Sequence, residues 1–429
     1  MQPILTPENV VFVLLSFEGS DVYSQVGGLG VRMTELSRVL AENGFYNHFF
    51  FIGDPDCPSE EFCMNGRQIL HRWCQWISHY HPGCVYDNLE GKMNDWNSSL
   101  PSFVLDSIVK PAARDGKYVV ILAEDWHTAY STQAIDYLLR CEGLRDNCVI
   151  FWNINNEFGM SRVDLAALDS ICTVTTVSQF MKRQMQLYGL NPRVIPNGIP
   201  KRIVCDVDPT QKYLLRESFD GVLLVKVARY DPNKRWLEAV NAIARLKAVN
   251  ARPHLIIRGG WESYRLSVES LISHYGLSHA RLKVFDTSFE SILGALRFSS
   301  SFDILELDFY IPEECLMLLY AAADAVLANS GYEPFGIVGL EVMAKSGIAI
   351  VGNTGEDYAV SSVNSFRLET NDPDEIVSYV LRVKEEPSLY DNIRQNARRT
   401  AINYTWDSVM KVLFSTIEEI MRCYNLAKL

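Results

Sequence analysis

Ten cysteines are spread over 429 residues without a C-x-x-C pair or a paired Cys/His spacing, which removes the usual arguments for a structural zinc site or a dithiol redox centre. Free thiols in a reducing compartment are expected, because a chain this long can build cores without disulfide staples. Long apolar runs are lacking too. The longest, Cys315–Ala323, is about half the roughly 20 residues that a membrane-spanning helix needs, so no transmembrane segment is expected. The opening MQPILTPENVVFVLLS has no basic n-region, and acidic residues follow its apolar stretch where a cleavage site would need small ones. A cytoplasmic chain is therefore expected. Basic charge is in deficit: 40 Lys and Arg face 52 Asp and Glu, a net charge of −12. This disfavours nucleic acid or an anionic membrane surface as the main partner and leaves room for a local basic pocket. Neither G-x-x-x-x-G-K-[ST] nor G-x-S-x-G occurs, which removes the sequence case for a P-loop ATPase or an α/β-hydrolase.

What is present is ordinary globular composition, 48% hydrophobic and 21% charged, in a chain too long for a single core. Short β-branched apolar runs alternate with amphipathic stretches: Val10–Leu15, Phe49–Ile52, Tyr118–Ala123, Cys148–Ile154 and Ile171–Val177 in the first half. After Pro196-Asn197-Gly198-Ile199-Pro200 the pattern restarts with Val222–Val227, His254–Ile257, Arg281–Phe285, Ala325–Ala328 and Ile348–Val351. Apolar strands alternating with helices imply parallel sheets covered on both faces, hence two doubly wound α/β domains. The expected division is residues 1–200, 201–407 and a final helix over 408–429 that could pack back on the first domain. Segment 54–101, rich in Trp, His, Cys and Asn, has weak periodicity and is expected to be an insertion with short helices or a functional loop. Ligands in such folds bind beyond the carboxyl ends of the strands, so the loops there are examined first.

The first strand is followed by SFEGSDVYSQVGGLG and a helical stripe at 33, 36, 39 and 40 that Asn43-Gly44 ends. Gly27, Gly28 and Gly30 would let backbone amides at a helix N-terminus approach a phosphate; the alternative is a tight turn. It is not a dinucleotide fingerprint, since the third glycine would fall on Met33. Tyr118–Ala123 leads into Glu124-Asp125-Trp126-His127-Thr128, placing the His127 imidazole just past a strand end. Val222–Val227 leads into Ala228-Arg229-Tyr230-Asp231-Pro232-Asn233-Lys234, where an Arg fork and a Lys point charge would suit a diphosphate.

The densest pattern is Asn329-Ser330-Gly331-Tyr332-Glu333-Pro334-Phe335-Gly336-Ile337-Val338-Gly339-Leu340-Glu341. With Pro334 opening a helix, the amides of Phe335, Gly336, Ile337 and Val338 would form an anion site. Glu341, eight residues after Glu333, would then lie roughly two helical turns along. The two carboxylates would meet different parts of one extended ligand, a ribose and a sugar among the options.

GGLG, EDWHT, VIPNGIP, Arg229 with Lys234, E-x7-E at 333–341 and the closing NIRQNARRTAINYTW, taken in order, resemble the retaining GT-B glycosyltransferases of the GT4 family related to glycogen and sucrose-phosphate synthases. That resemblance implies two Rossmann-like domains facing across a cleft, with a nucleotide-sugar donor mainly on the second and a hydroxyl acceptor mainly on the first. It gives Arg229 and Lys234 the donor diphosphate, Glu341 the ribose hydroxyls, Glu333 and His127 the transferred sugar, and Gly27 and Gly28 the phosphates. It places Asn155, Asn156 and Glu157 on the acceptor side and requires no metal or other cofactor. The implied reaction is transfer of a hexosyl group, glucosyl from UDP first among the options, with retention at the anomeric carbon. A sugar phosphorylase, a nucleotide-sugar hydrolase and a catalytically silent nucleotide-sugar sensor remain the alternatives. Four departures stand out, one being Asn155-Asn156-Glu157, where relatives often have a histidine. Gln25 replaces a lysine of glycogen synthases, Phe335 stands where they carry a cysteine, and Asn353-Thr354-Gly355-Glu356-Asp357-Tyr358 replaces a paired-glycine loop; together they argue against glucan polymerisation.

Overall fold

The computed structural model describes residues 5–426. They form two compact units: one runs to Gly198 and resumes at Trp406, the other is Ile199–Thr405. The first unit is built on β1 (Val10–Leu15), β2 (Tyr46–Ile52), β3 (Glu60–Cys63), β4 (Gln68–Trp73), β5 (Tyr118–Glu124), β6 (Cys148–Ile154), β7 (Thr173–Thr176) and β8 (Arg193–Val194). Their spatial order is β3-β4-β2-β1-β5-β6-β7-β8, with every pairing parallel except β3 on β4. The second unit holds β9 (Val222–Val227), β10 (Pro253–Arg258), β11 (His279–Leu282), β12 (Ile304–Leu307), β13 (Ala325–Ala328), β14 (Ala349–Val351) and β15 (Phe366–Arg367), ordered β11-β12-β10-β9-β13-β14-β15 and parallel throughout.

Both sheets are doubly wound, and each changes direction once, between β1 and β5 and between β9 and β13. At such a point the connections leave a crevice beyond the strands' carboxyl ends. The loops after β1 and β5 carry the glycine turn and His127; those after β9 and β13 carry Arg229, Lys234 and Glu333. Topology therefore gathers residues that lie about a hundred positions apart.

The helix Trp406–Leu426 joins the core of the first unit, where Trp406, Val409, Met410, Leu413, Ile417 and Met421 are buried against Phe12, Leu14 and Val39. In the second unit the helix Trp236–Ala248 buries Trp236, Val240, Ile243 and Leu246 against Leu224, Leu255 and Ile257.

Several elements differ from the sequence-based expectation. The run Ile171–Val177 is split, because Asp164 caps a helix Leu165–Ile171 by accepting the Ala167 amide at 3.0 Å, and only Thr173–Thr176 pairs as strand. The edge strand expected at Arg281–Phe285 lies at His279–Leu282, and Phe285 is exposed. Segment 54–101 carries the expected helices, Gln75–Tyr80 and most of Leu89–Val104, but it also supplies β3 and β4 to the sheet. β12, unforeseen, carries a buried Glu306 that Arg265 (2.8 Å) and the Tyr230 hydroxyl (2.8 Å) neutralise and satisfy.

Candidate active site

In the second unit the chain leaves β9 through a tight turn. Asp231 accepts the Asn233 amide at 2.8 Å, Arg235 adopts a left-handed conformation at φ +48°, and the Trp236 indole donates to the Arg229 carbonyl at 2.8 Å. These contacts fix the Arg229 backbone while its side chain stays exposed, with no hydrogen bond or ion pair to any other described residue. The turn is stitched to the loop after β13: Gly331 donates its amide to the Asn233 carbonyl at 2.6 Å, and Asn329 donates its side-chain amide to the Arg235 carbonyl at 3.2 Å. That registry brings the Lys234 ammonium to 2.5 Å from Glu333 Oε2, with both side chains about three-quarters buried. Assigned separately to phosphate and sugar from sequence, Lys234 and Glu333 form one ion pair here.

The helix following Glu333 begins later than expected. It spans Ile337–Ala344 with Gly336 as its N-cap at φ +75°, so Pro334 precedes the helix and does not open it. The Phe335 ring is buried, with Tyr358 at 5.9 Å and Tyr404 at 6.2 Å between ring centres, which removes its side chain from any ligand surface. Ile337 and Val338 hold the first amides of the helix, whereas the Gly339 amide bonds the Gly336 carbonyl at 3.2 Å. Glu341 therefore stands little more than one turn into the helix, and Glu333 is not on it. Burial pushes the Glu341 carboxyl up to about 7, with Glu313 adding to the shift.

Two further groups sit beside this pair, unforeseen from sequence. Lys226, at the end of β9, is wholly buried; its ammonium donates to Asn329 Oδ1 at 2.5 Å and lies 5.0 Å from the Trp236 ring centre. Desolvation, helped by Lys234 and Arg235, lowers it to about 7. Glu356, in the loop after β14, is also buried and raised to about 7 by desolvation, opposed by the Thr354 amide and reinforced by Glu333. A lone lysine inside an apolar run and a glutamate in the loop that stands where relatives carry paired glycines were the sequence signs of these two.

In the first unit the glycine turn is already filled. Glu18 Oε2 accepts the amides of Gly27 (3.0 Å) and Gly30 (3.1 Å), and Oε1 accepts the Tyr86 hydroxyl (2.7 Å). A side-chain carboxylate thus meets the positive end of the helix Gly28–Glu42, and Gly27 has no amide left for a phosphate. Gly28 is the open position, since a Cβ there would find nothing within 4 Å. Tyr86 comes from segment 54–101, where buried Lys92 secures the chain by donating to the Tyr23 hydroxyl (2.6 Å) and to the Cys84 and Val85 carbonyls (3.1 Å each).

His127 is buried at the end of β5, stacked on Phe17 (4.7 Å between ring centres) and next to Trp126 (4.0 Å), and its Nδ1 has no partner. Desolvation, reinforced by Arg162, lowers it to about 3, so it is a neutral imidazole near pH 7. Two residues earlier Asp125 holds φ +58° and ψ 177°, a strained conformation for a non-glycine residue. Asn155 pays for that geometry: its amide donates to Asp125 Oδ1 at 2.8 Å and its side chain to Glu124 Oε2 at 2.7 Å. Expected on the acceptor side, Asn155 is thus a brace for the His127 loop. Asn156 caps the turn through the Phe158 amide at 2.7 Å, and Glu157 is half-buried.

The family "Glycosyl transferases group 1" matches residues 305–400, a stretch that includes most of β12, β13, Glu333, Glu341 and Glu356. Residues 305–400 are thus similar to a group 1 glycosyl transferase domain. An uncharacterized glycosyltransferase of Methanocaldococcus jannaschii is 26% identical over 409 residues, 90% of this chain and 93% of that protein. Among solved structures, sucrose-phosphate synthase from Thermosynechococcus elongatus superposes with a TM-score of 0.70 at 16% identity, covering 97% of this chain and 100% of that one. Anabaena HepE in complex with UDP gives a TM-score of 0.64 at 14% identity, covering 96% and 100%. The fold is GT-B, two α/β units with mostly parallel sheets. No helix among the described residues is long and apolar enough to cross a membrane.

Proposed function

We propose that this glycosyltransferase moves a glucosyl group from UDP-glucose to a hydroxyl acceptor with retention at the anomeric carbon. The observation that carries the proposal is the Lys234–Glu333 pair at the turning point of the second sheet, with the exposed, unpaired Arg229 on the same turn after β9. A diphosphate entering there meets Arg229 as a bidentate fork and Lys234 as a point charge; both strengthen their hold as negative charge grows on the leaving phosphate. The amides of Ile337 and Val338 add the positive end of a helix.

Glu333, held by Lys234, is positioned to accept from sugar hydroxyls and to offset positive charge at the anomeric carbon. Glu341 is assigned the ribose. His127, neutral, donates to or accepts from the transferred sugar, and Gly28 lies against the phosphates. Asn156 and Glu157 remain assigned to the acceptor side. The acceptor gives its proton to the departing phosphate oxygen, and the cations on the protein neutralise the diphosphate, so no metal is required. UDP is favoured by likeness to a protein solved in complex with UDP.

The test is incubation with UDP-glucose alone, with inorganic phosphate, and with a panel of sugar and sugar-phosphate acceptors, the anomeric proton of the product being read by NMR. Acceptor-dependent UDP release with an α-configured product supports the reading. Turnover without an acceptor identifies a hydrolase, glucose 1-phosphate formation a phosphorylase, and binding without turnover a sensor.

A further inference from the structure

Glu356 has no role in the reaction proposed above, yet the structure couples it to Glu333 in two ways. The first is a relay through Thr354. Glu356 Oε2 accepts the Thr354 amide at 3.0 Å, while Thr354 Oγ1 accepts the Glu333 amide at 3.0 Å and donates to the Glu333 carbonyl at 2.9 Å. The Gly355 amide adds a bond to the same carbonyl at 2.8 Å. The loop after β14 thus grips the backbone of the residue that pairs with Lys234.

The second link is direct proximity. A Cβ placed on Gly336 would lie 2.7 Å from Glu356 Cγ, 3.2 Å from Glu356 Oε1 and 3.2 Å from Glu333 Cγ. The two carboxyl side chains therefore flank one small gap that only glycine leaves open. Glu356 is 3% exposed, and its Oε1 is buried with no hydrogen-bond partner. An ionised carboxylate in that position would be a desolvated charge adjacent to a second negative charge; the neutral acid avoids both of those costs, although its Oε1 stays unpartnered.

We propose that Glu356 is a positioning residue that works as the neutral acid, holding Glu333 against Lys234 and keeping the donor pocket free of a second negative charge, so that its ionisation impairs donor use. This inference rests on the reading of Lys234 and Glu333 as the donor site. Its titration near 7 agrees with the geometry, burial being the main cause and Glu333 adding to it. The charged and titratable groups around it are Glu333, the Lys234 ammonium beyond that carboxylate, the buried Tyr358 hydroxyl, which donates to the Gly336 carbonyl, and Glu341, which like Glu356 and Glu333 acts on Tyr358. Lys234 is the one cation among them and is already paired, so deprotonating Glu356 adds charge that nothing new offsets. The diphosphate of a UDP-sugar keeps its charge across neutral pH, so the titration belongs to the protein.

The experiment is kcat/KM for UDP-glucose from about pH 6 to about pH 9 in the full chain and its variants. The wild type should fall on the alkaline side with a slope of one proton and a midpoint near 7. Glu356→Gln, which places an N–H where the acid would carry its O–H, should restore wild-type acidic-side activity and abolish that fall. Glu356→Ala should lower kcat/KM roughly 10- to 100-fold below the wild type's acidic-side value and show no alkaline fall. A structural role alone would leave the alkaline limb unmoved in Glu356→Gln, and that result overturns the proposal. Should Glu356→Gln not fold, a wild-type profile flat across the range overturns it as well. Lys234→Ala and Glu333→Gln, run in parallel, separate the two levels: full activity in both sinks the donor-site reading itself, whereas their loss beside an unchanged limb in Glu356→Gln sinks only the role of Glu356.

Discussion

Arg229 and Lys234 look alike in sequence, two cations five positions apart, but the structure gives them different energetic surroundings. Arg229 is exposed and unpaired, so Arg229→Ala should leave the thermal midpoint unchanged while lowering kcat on the order of 10²–10³-fold, as removal of a preorganised donor to developing charge does elsewhere. Lys234→Ala strands a partly buried Glu333 and should cost both activity and about 1 kcal/mol of stability. Denaturant melts beside initial rates separate the two effects. Lys226 offers a test that needs no substrate. Its folded-state pKa is depressed from 10.5 to about 7, so the unfolded chain binds the extra proton between those values. Its contribution is present above the unfolded value and is lost as pH falls toward 7. Wild-type stability relative to Lys226→Met should therefore rise from about pH 7 to about pH 10, by an amount on the order of a few kcal/mol. A constant difference across that range would contradict the burial of a neutral amine.

At the scale of elements, the loop and helix after β13 depend on glycine for a stated reason. Gly336 holds φ +75°, and a Cβ there would enter the space of Glu356 and Glu333. Gly336→Ala should cost about 1–3 kcal/mol and depress turnover through Glu333, measurable as a coupled loss of melting temperature and kcat. The helix Trp406–Leu426 tests a longer-range dependence. Six of its apolar side chains complete the first unit's core, so a chain ending at Thr405 should lose cooperative unfolding of that unit and expose it to limited proteolysis.

On the scale of the whole molecule, Ile199–Thr405 is one continuous stretch that contains Arg229, Lys234, Glu333, Glu341 and Glu356, whereas the first unit draws on two separate stretches. Expressed alone, residues 199–405 should fold and bind UDP in a calorimetric titration; a folded fragment with no heat of binding would remove the nucleotide from this unit. Since two cations are assigned the charge of the leaving diphosphate, activity of the full chain should survive exhaustive EDTA treatment. Loss on chelation, with recovery on adding Mg²⁺ or Mn²⁺, would call for carboxylate ligands not assigned above.

Much of this architecture was legible because parallel, doubly buried strands leave a strong local mark. Val10–Leu15, Cys148–Ile154, Val222–Val227 and Ala325–Ala328 are apolar runs bounded by turn residues, and each is a strand with those limits. The alternation of such runs with helices implies the sheets, and the loops after them implied where to look. β12 escaped notice because Glu306 interrupts it, and a buried charge is tolerable only when distant partners such as Arg265 and Tyr230 arrive. The same physics hid the rest of the site. Whether Gly27 offers its amide depends on Glu18, whether Asn155 faces a ligand depends on Asp125, and whether Lys226 and Glu356 carry charge depends on what surrounds them. Periodicity is a property of neighbours along the chain. Desolvation and hydrogen-bond pairing are properties of neighbours in space, and those are set when β9 and β13 come together.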